Sequence, residues 1–577
     1  MFAKVRCNAI LFLVFVVISR AGATTEIYVK SSAGDHNGDG SFDYPYKTIQ
    51  KAANVAATIE GPVIVYVKAG PPYDYFNDHM TTQNYHDSDG VLVPSNNVSF
   101  IGYIDNPGEN LAAKVPASYA QYQSSGGYIN LPRIVGTSRS IGTGIRISGS
   151  NNGVVKNFHI KNFCYGVSFA SSTSCTIENV AATHLGSTSD ESLVGTGIVI
   201  DNQVQGPNGG LQSGWGYNRV TNCFVLNGSY GGIVLAHSNE NVVTQCRVYC
   251  DDNTGLHGPT DYYILIDNGG GNFVTGCKAE RKLDPNTGVP PAHTGHGITV
   301  QAMASQGQFA FGNQIFQCYS ESIDEPFLLR GSGSSNNFFS ECTSTLILAD
   351  NAQGRISLDS GPHDNRFSRM RLNCKAAVGF LRYHDSVPPP LKDTLALNVA
   401  ANNTFENCIF ECQDAAIELS FWNDLGTGTG NVHVVNNQWL NCTFVFTGGA
   451  SNSGAFFRSN RLSFANQLNN CIIKGFKTFA APYGTQTGFY VPNQSHFAFH
   501  YCCSWNPLAN NFPSPSIGQG NINPAADPQM NGYLYNLVYG SPCINRGTTV
   551  AYGVDCDGTP RPQQGAFDIG AQEFPPN

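Results

Sequence analysis

The hydrophobic positions of this chain recur in a six-residue phrase: a small polar residue, any residue, an apolar one, any residue, a position often held by Asn, then Cys. It reads NRVTNC at 218–223, NVVTQC at 241–246, NFVTGC at 272–277, NQIFQC at 313–318 and NFFSEC at 337–342. It continues as NRFSRM at 365–370, NTFENC at 403–408, NQWLNC at 437–442 and NQLNNC at 466–471, with degenerate copies GVVKNF at 153–158 and CTIENV at 175–180. The third residue is apolar in all eleven copies and the sixth is Cys in eight, a regularity that chance does not produce. A second phrase precedes most copies: a Gly-like position, then apolar, variable, apolar, as in GIVI at 197–200, GIVL at 232–235 and GITV at 297–300. Alternation with a period of two residues means strand, with one face inward and one outward.

The shortest repeat spacings are 22 to 24 residues, and the longer ones differ by insertions. Repeats of that length holding two or three short strands predict an all-β solenoid, a right-handed parallel β-helix of about a dozen coils over roughly 61–503. Equivalent residues then stack in columns about 4.8 Å apart. Val220, Val243, Val274, Ile315 and Phe339 should share one inward column, and Trp439 another level of it between Phe405 and Leu468. The fifth-position asparagines, such as Asn157, Asn179, Asn222 and Asn441, should bend the chain between strands, because Asn tolerates left-handed backbone and its amides can bond one another when stacked. The Cys column is expected to be a free apolar ladder.

The ends of a solenoid need covering, since an open parallel edge invites aggregation. Ile49, Ala52, Ala53 and Ala56 lie at helical spacing in TIQKAANVAA, predicting a short capping helix ahead of a strand at 63–68. Residues 105–130 read as a surface insertion. The expected organisation is a signal peptide at 1–23, an N-terminal cap with the first coils at 24–135, β-helix repeats at 136–503 and a loop-rich C-terminal cap at 504–577. Cys543 and Cys556 in that cap are the candidate disulfide pair.

Composition supports strands and turns over helices: 62 Gly and only 5 Met in 577 residues, with 13% charged residues. Lys4 and Arg6, the apolar run Ile10–Ile18 and Ala21-Gly22-Ala23 together read as a secretory signal peptide, too short for a membrane anchor. The expected mature chain is exported, extracellular or periplasmic, and not inserted in a membrane. Its formal charge falls from −9 to −12 on loss of three cations, which argues against nucleic acid as a partner. A monomer acting on a polysaccharide is the expectation.

Stacking turns the sequence into a surface map. The residue after each GIxI-type strand gives Asp201, Ala236 (then His237), Asp267, Gln301, Arg330 and Asp359, a charged ladder expected to face solvent. His296 and Glu325 should share the column at the strand's start, with His363 just beyond the ladder. A hydrolase sets two carboxylates about a glycosidic bond, whereas a lyase neutralises a uronate with calcium or Arg so that a base can take the neighbouring proton. Asp267, Arg330, Asp359 and His296 are the catalytic candidates; Asp201, His237, Gln301, Lys278, Lys282 and His363 are the substrate-binding candidates. Asp201 and Asp267 are also the candidate calcium ligands. His293 with His296 lacks a local third ligand for zinc.

The opening YVKSSAGDHNGDGSFDYPYKTIQKAAN resembles the N-terminal segment of secreted β-helix proteins of the pectin-lyase-like superfamily, family 9 pectate lyases among them. That resemblance implies a scaffold shared by lyases, hydrolases, epimerases and non-enzymatic adhesins. Gly295-His296-Gly297 is similar to a polygalacturonase motif, and Asp251-Asp252 to that family's paired Asp, although here the pair follows a Cys-column strand on another face. The family's later Arg-x-Lys finds no match. The calcium-binding Asp cluster of family 9 has no residue-by-residue counterpart, and Lys278 and Lys282 lie where its catalytic Lys would be sought. The resulting expectation is a carbohydrate-active enzyme, lyase ahead of polygalacturonase-like hydrolase, with a non-catalytic glycan-binding or structural β-helix as the alternative from another class.

Overall fold

Parallel pairing of short strands carries the whole architecture. The computed structural model describes residues 24–575 except 32–37, 70–73, 77–89, 94–96, 137, 140, 187–194, 206–210, 253–259, 292–293, 305–306, 349–351, 383–398, 422–432, 450–451, 453, 460–462, 483–496, 507–518, 523–525, 533–534 and 550–552. The expected signal peptide and His293 therefore lie outside the described residues.

The chain is a parallel β-helix whose coils stack in one-to-one register, with shifts at Gly90/Val91 and at Cys374/Ala376 among the described residues. Val220 pairs with Val243, Val243 with Val274, Val274 with Ile315 and Ile315 with Phe339, as the repeat predicted. The column extends upward through Ile177, Val155, Phe100 and Val65 to Ile27. Downward it runs through Phe367, Phe405, Trp439 and Leu468 to Phe499. The solenoid thus begins before residue 61: the strand Thr25–Lys30 pairs along its full length with Val63–Lys68, and the capping helix is an excursion between them. That helix spans Ile49–Ala56, is N-capped by Thr48 and buries the four apolar positions expected of it.

Each coil has three strand sets. The six-residue phrase opens the first (Arg219–Thr221, Val242–Thr244, Phe273–Thr275), and its Cys leads into the second (Phe224–Gly228, Arg247–Cys250, Lys278–Arg281). The third carries the GIxI phrase (Thr196–Asp201, Gly231–Ala236, Tyr262–Asp267, His296–Gln301, Glu325–Arg330, Ile356–Asp359). At the bend before the second set, Asn157, Asn179, Asn222, Asn407, Asn441 and Asn470 all take positive φ between 49° and 65°. Their amides bond coil to coil, Asn222 Nδ2 donating to Asn179 Oδ1 at 2.8 Å and Asn470 Nδ2 to Asn441 Oδ1 at 3.0 Å.

A second asparagine ladder occupies the first position of the phrase, where the repeat was read only as small and polar. Asn218, Asn241, Asn272, Asn313, Asn337, Asn365, Asn403, Asn437 and Asn466 are buried. Each of the first eight donates from Nδ2 to Oδ1 of the next at 2.8–3.1 Å.

All seventeen cysteines of the described chain are buried free thiols. The Cys543–Cys556 disulfide expected from sequence is absent: Cys543 packs in a cluster with Cys503, Ile472 and Ile569, whereas Cys556 packs with Ile409 and Ala571. The physical reason is that the C-terminal segment runs back along the solenoid's side. Asn470 bonds Thr548 through both amide atoms (2.7 and 2.8 Å), and Asn407 Nδ2 reaches Val554 O at 3.0 Å. Residues 105–130 also do more than decorate: Leu111, Tyr119, Tyr122 and Ile129 bury themselves against Phe224, Leu226 and Tyr249 on the outer face of the second strand set.

Candidate functional site

The outer face of the third strand set carries three columns. Backbone pairing stacks Asp201, Ala236, Asp267, Gln301, Arg330 and Asp359 in the order read from sequence. At the strand's start lie Tyr165, Thr196, Gly231, Tyr262, His296 and Glu325. Between them runs a middle column through Val199, Val234, Leu265, Thr299 and Leu328.

The expected solvent-facing ladder is only half right. Arg330 is 8% exposed, Asp359 1% and Glu325 4%, and the middle column is buried as well. Val199, Val234, Ala236, Tyr262 and Leu265 form an apolar cluster on this outer face, flanked by Tyr165 and Tyr230. Alternation had identified the outward face correctly but could not say that the lower half of that face is covered.

In the covered half, Arg330 Nε donates to Asp359 Oδ2 at 2.9 Å and Nη1 donates to the Tyr262 hydroxyl at 2.6 Å. Burial opposes the Arg330 charge, but Tyr262, Asp359 and Glu325 outweigh it and strengthen the guanidinium's hold on its proton. His296 Nδ1 lies 2.8 Å from Glu325 Oε2, and Arg355 is 3.6 Å from Glu325 and 3.1 Å from Glu418. Burial alone would raise the Glu325 carboxyl; the hydrogen bond and charge of His296, with Arg355, overcome it and hold Glu325 well below the usual carboxylate range. This is a buried ionic network in which each carboxylate faces at least one cationic group.

The upper half is different. The Asp201 side chain is 33% exposed and His237 is 15% exposed, with His237 Nδ1 3.3 Å from Asp201 Oδ1. The hydrogen bond with Asp201 raises the His237 imidazole above its usual value against the pull of burial, and Asp267 adds to the rise. Burial pushes the Asp267 carboxyl up, against the opposing charge of His237 and a hydrogen bond from Gln301. His237 holds the left-handed backbone common at this chain's corners, at φ 48°, and its N–H donates to Asp267 O at 2.8 Å. Because Asp201 and Asp267 are two coil steps apart, their Cα atoms stand about 10 Å from each other. An inverting pair of carboxyls stands roughly 6.5–9.5 Å apart to admit a water beside the sugar, a separation within reach of side chains on backbones so spaced.

The insertion after Asp201 forms a hairpin, Gln203–Gln205 against Leu211–Trp215, that stands beside this pair. Gly214 N donates to His237 O at 2.9 Å, fixing the wall to the site. Tyr230 and Tyr262 were not singled out from sequence; their rings are 5.6 Å apart, and Tyr262 lies 5.0 Å from the His296 ring. The signal available was their place immediately before the apolar residues of the third strand.

Other candidates are not brought to this face. Lys278 and Lys282 lie on and just after a second-set strand; Lys278 sits 5.9 Å over the Tyr319 ring and Lys282 is held by Glu280 at 2.7 Å and Glu321 at 2.5 Å. His363 is at the corner after the ladder, 2.7 Å from Asp364 and paired in the ladder of corner residues with Ser335 and Ala401. Asp251 accepts from Tyr119 at 2.5 Å and from Asn227 at 2.7 Å, tying down the N-terminal insertion.

Among the described residues no group of three or more His, Cys, Asp and Glu side chains could hold a metal ion. Asp201 and Asp267 stand two coil steps apart, with Ala236 between them in the stack.

Residues 117–276 match a family described as periplasmic copper-binding protein (NosD), a span well short of half the chain. The cysteines there that belong to the repeat, Cys175, Cys223 and Cys246, are buried in the core. No curated protein matches the chain. Among solved structures, the catalytic domain of a GH87 α-1,3-glucanase in complex with nigerose aligns at 12% identity, covering 78% of this chain and 70% of its own, with a TM-score of 0.45. The tailspike protein of E. coli bacteriophage HK620 in complex with a pentasaccharide aligns at 11% identity over 83% and 76%, TM-score 0.47. Pectate lyase Pel9A aligns at 12% identity over 96% and 98%, TM-score 0.35.

Proposed function

We propose that this protein is an exported carbohydrate-active enzyme that hydrolyses a glycosidic bond of a polysaccharide at the Asp201–His237–Asp267 cluster. The observation that carries this reading is a pair of outward carboxylates on alternate coils with opposed environments. Asp201 is a third exposed and lies 3.3 Å from an imidazole of raised basicity, whereas burial raises the Asp267 carboxyl above its usual value and biases it towards its acid form. A solvent-accessible carboxyl and a desolvated one divide naturally into base and acid. Asp201 would draw the proton from a water, and Asp267 would protonate the departing glycosidic oxygen. At a spacing that admits the water, the expected outcome is inversion.

Elimination from a uronate is less well supported than the sequence suggested. It needs a free cation to neutralise the carboxylate, and Arg330 is buried against Asp359 and Tyr262. A panel of polysaccharides scored in parallel for new reducing ends and for unsaturated uronate absorbance separates the two. Reducing ends without absorbance, lost in Asp201→Asn and Asp267→Asn, are the expected result. Absorbance that rises with cleavage would establish a lyase, and retention without cleavage a binding protein.

A further inference from the structure

Large apolar side chains on the described surface are few, and two of them stand together at the corner next to the proposed site. Phe309 is 55% exposed and Phe311 58%, while Ala310 between them is fully buried. The strand alternation at Ala310–Phe311 therefore aims both rings outward on one side. They belong to the same coil as Gln301, the residue that hydrogen bonds to Asp267.

The segment is fastened to the backbone that follows Asp267. Phe309 N donates to Asn268 Oδ1 at 3.0 Å, and Gly271 N donates to Phe311 O at 3.0 Å. The Phe311 ring lies over Gly270: a Cβ there would come within 3.4 Å of two ring atoms and 2.9 Å of the Phe311 carbonyl oxygen. On its other side Phe311 is stacked on Ser335, another small residue, and beyond Ser335 comes the exposed His363. Small neighbours above and below leave the outer ring face open, while the glycine contact and the backbone bonds set its direction.

An exposed Phe gains nothing from water, and two of them at one corner, one seated between small residues, are a feature in need of a ligand. A pyranose offers a complement: the C–H groups on one face of the ring pack on an aromatic plane while the hydroxyls at its rim stay hydrated or bonded. We infer that Phe309 and Phe311 form a stacking platform for a sugar residue of the polysaccharide, one that flanks the bond cleaved at Asp201 and Asp267. The inference rests on the glycan reading of that cluster and adds the direction of the chain, from the ladder across the corner towards His363.

The test uses the full mature protein and the polysaccharide that it cleaves, with oligosaccharides of graded length cut from it. Phe311→Ala and Phe309→Ala should raise KM about tenfold for oligomers long enough to reach the corner, a loss equivalent to about 1.4 kcal/mol. The increase should shrink as the oligomer shortens, and Phe311→Trp should restore the affinity. Melting temperatures should not move, because both rings are more than half exposed. If Asp201→Asn abolishes cleavage but the two Phe variants keep the wild-type KM at every length, the platform is refuted and the catalytic reading stands. If the wild type retains the glycan without cleaving it and the Phe variants lose it, the hydrolase reading falls and the platform stands. If the wild type neither cleaves nor retains any glycan, both are refuted.

Discussion

The side-chain oxygen of Asn313 accepts two hydrogen bonds from Asn272 on the preceding coil, one from its backbone N–H and one from its Nδ2, each at 2.9 Å. Asn313 in turn donates to Asn337 Oδ1 and to Gly269 O, both at 2.9 Å. A single amide thus satisfies two donors and two acceptors, all buried. Asn313→Ala strands several of these at once, and an unmade buried hydrogen bond costs about 1–3 kcal/mol. The expected loss in a urea unfolding curve is at least about 3 kcal/mol. Asn313→Asp should also be costly, since it keeps the acceptor but loses the donors. A change under about 1 kcal/mol for Asn313→Ala would mean that the ladder is not a structural element.

Trp439 is stacked flat on Phe405, with centroids 5.3 Å apart and planes 6° from parallel, and its Nε1 finds no hydrogen-bond partner. Trp439→Ala should open a cavity costing about 3–5 kcal/mol. Trp439→Phe keeps the stack and removes an unsatisfied donor, so it should cost under about 1.5 kcal/mol. Thermal melts of the two variants side by side check the difference.

Arg330 is expected to behave as a buried partner. Arg330→Ala leaves Asp359 buried without its cation, which should cost about 3–5 kcal/mol. Replacing both, as Arg330→Met with Asp359→Leu, should restore most of that stability, because neither charge then needs compensation. Chemical denaturation of the single and double variants decides the matter. A surface role would give a small effect in both.

The His237–Asp201 contact has a pH signature. The folded His237 pKa is raised, so its contribution to stability is full below the unfolded value of about 6.5 and is lost as pH rises through the folded value. The melting temperature of the wild type should therefore fall across that window relative to His237→Gln, in which the step is missing. Parallel pH profiles for the two proteins would contradict the contact.

The columns were legible because each coil repeats a short apolar alternation, and period-two alternation fixes which side chains share a face. Insertions between phrases did not matter, which is why residues as distant as Asp201 and Asp359 were placed in one stack. What alternation cannot tell is whether an outward face is then covered. Arg330, Asp359 and Glu325 were placed in the right columns, but their burial was missed for that reason. The inner ladder from Asn218 to Asn466 was visible as a repeated letter, but its meaning depends on both amide atoms reaching the next coil. The return of the C-terminal segment along the solenoid, which separates Cys543 from Cys556, has no periodic signal at all. Phe309 and Phe311 lie next to one of the inserted stretches, where the repeat supplies no register.

One-to-one register also makes the coil a removable part. Residues 272–312 are one full turn, and joining Gly271 to Asn313 would set Val243 on Ile315, Cys246 on Cys318, Ile264 on Phe327 and Asn241 on Asn313, each a like-for-like replacement in its column. The shortened chain would lose His296, Gln301 and both corner phenylalanines and bring Asp267 directly against Arg330. The fold is therefore editable in whole turns: its length, and the distance along the axis between the cleavage cluster and the charged network below it, can change by one step while the inward columns stay continuous.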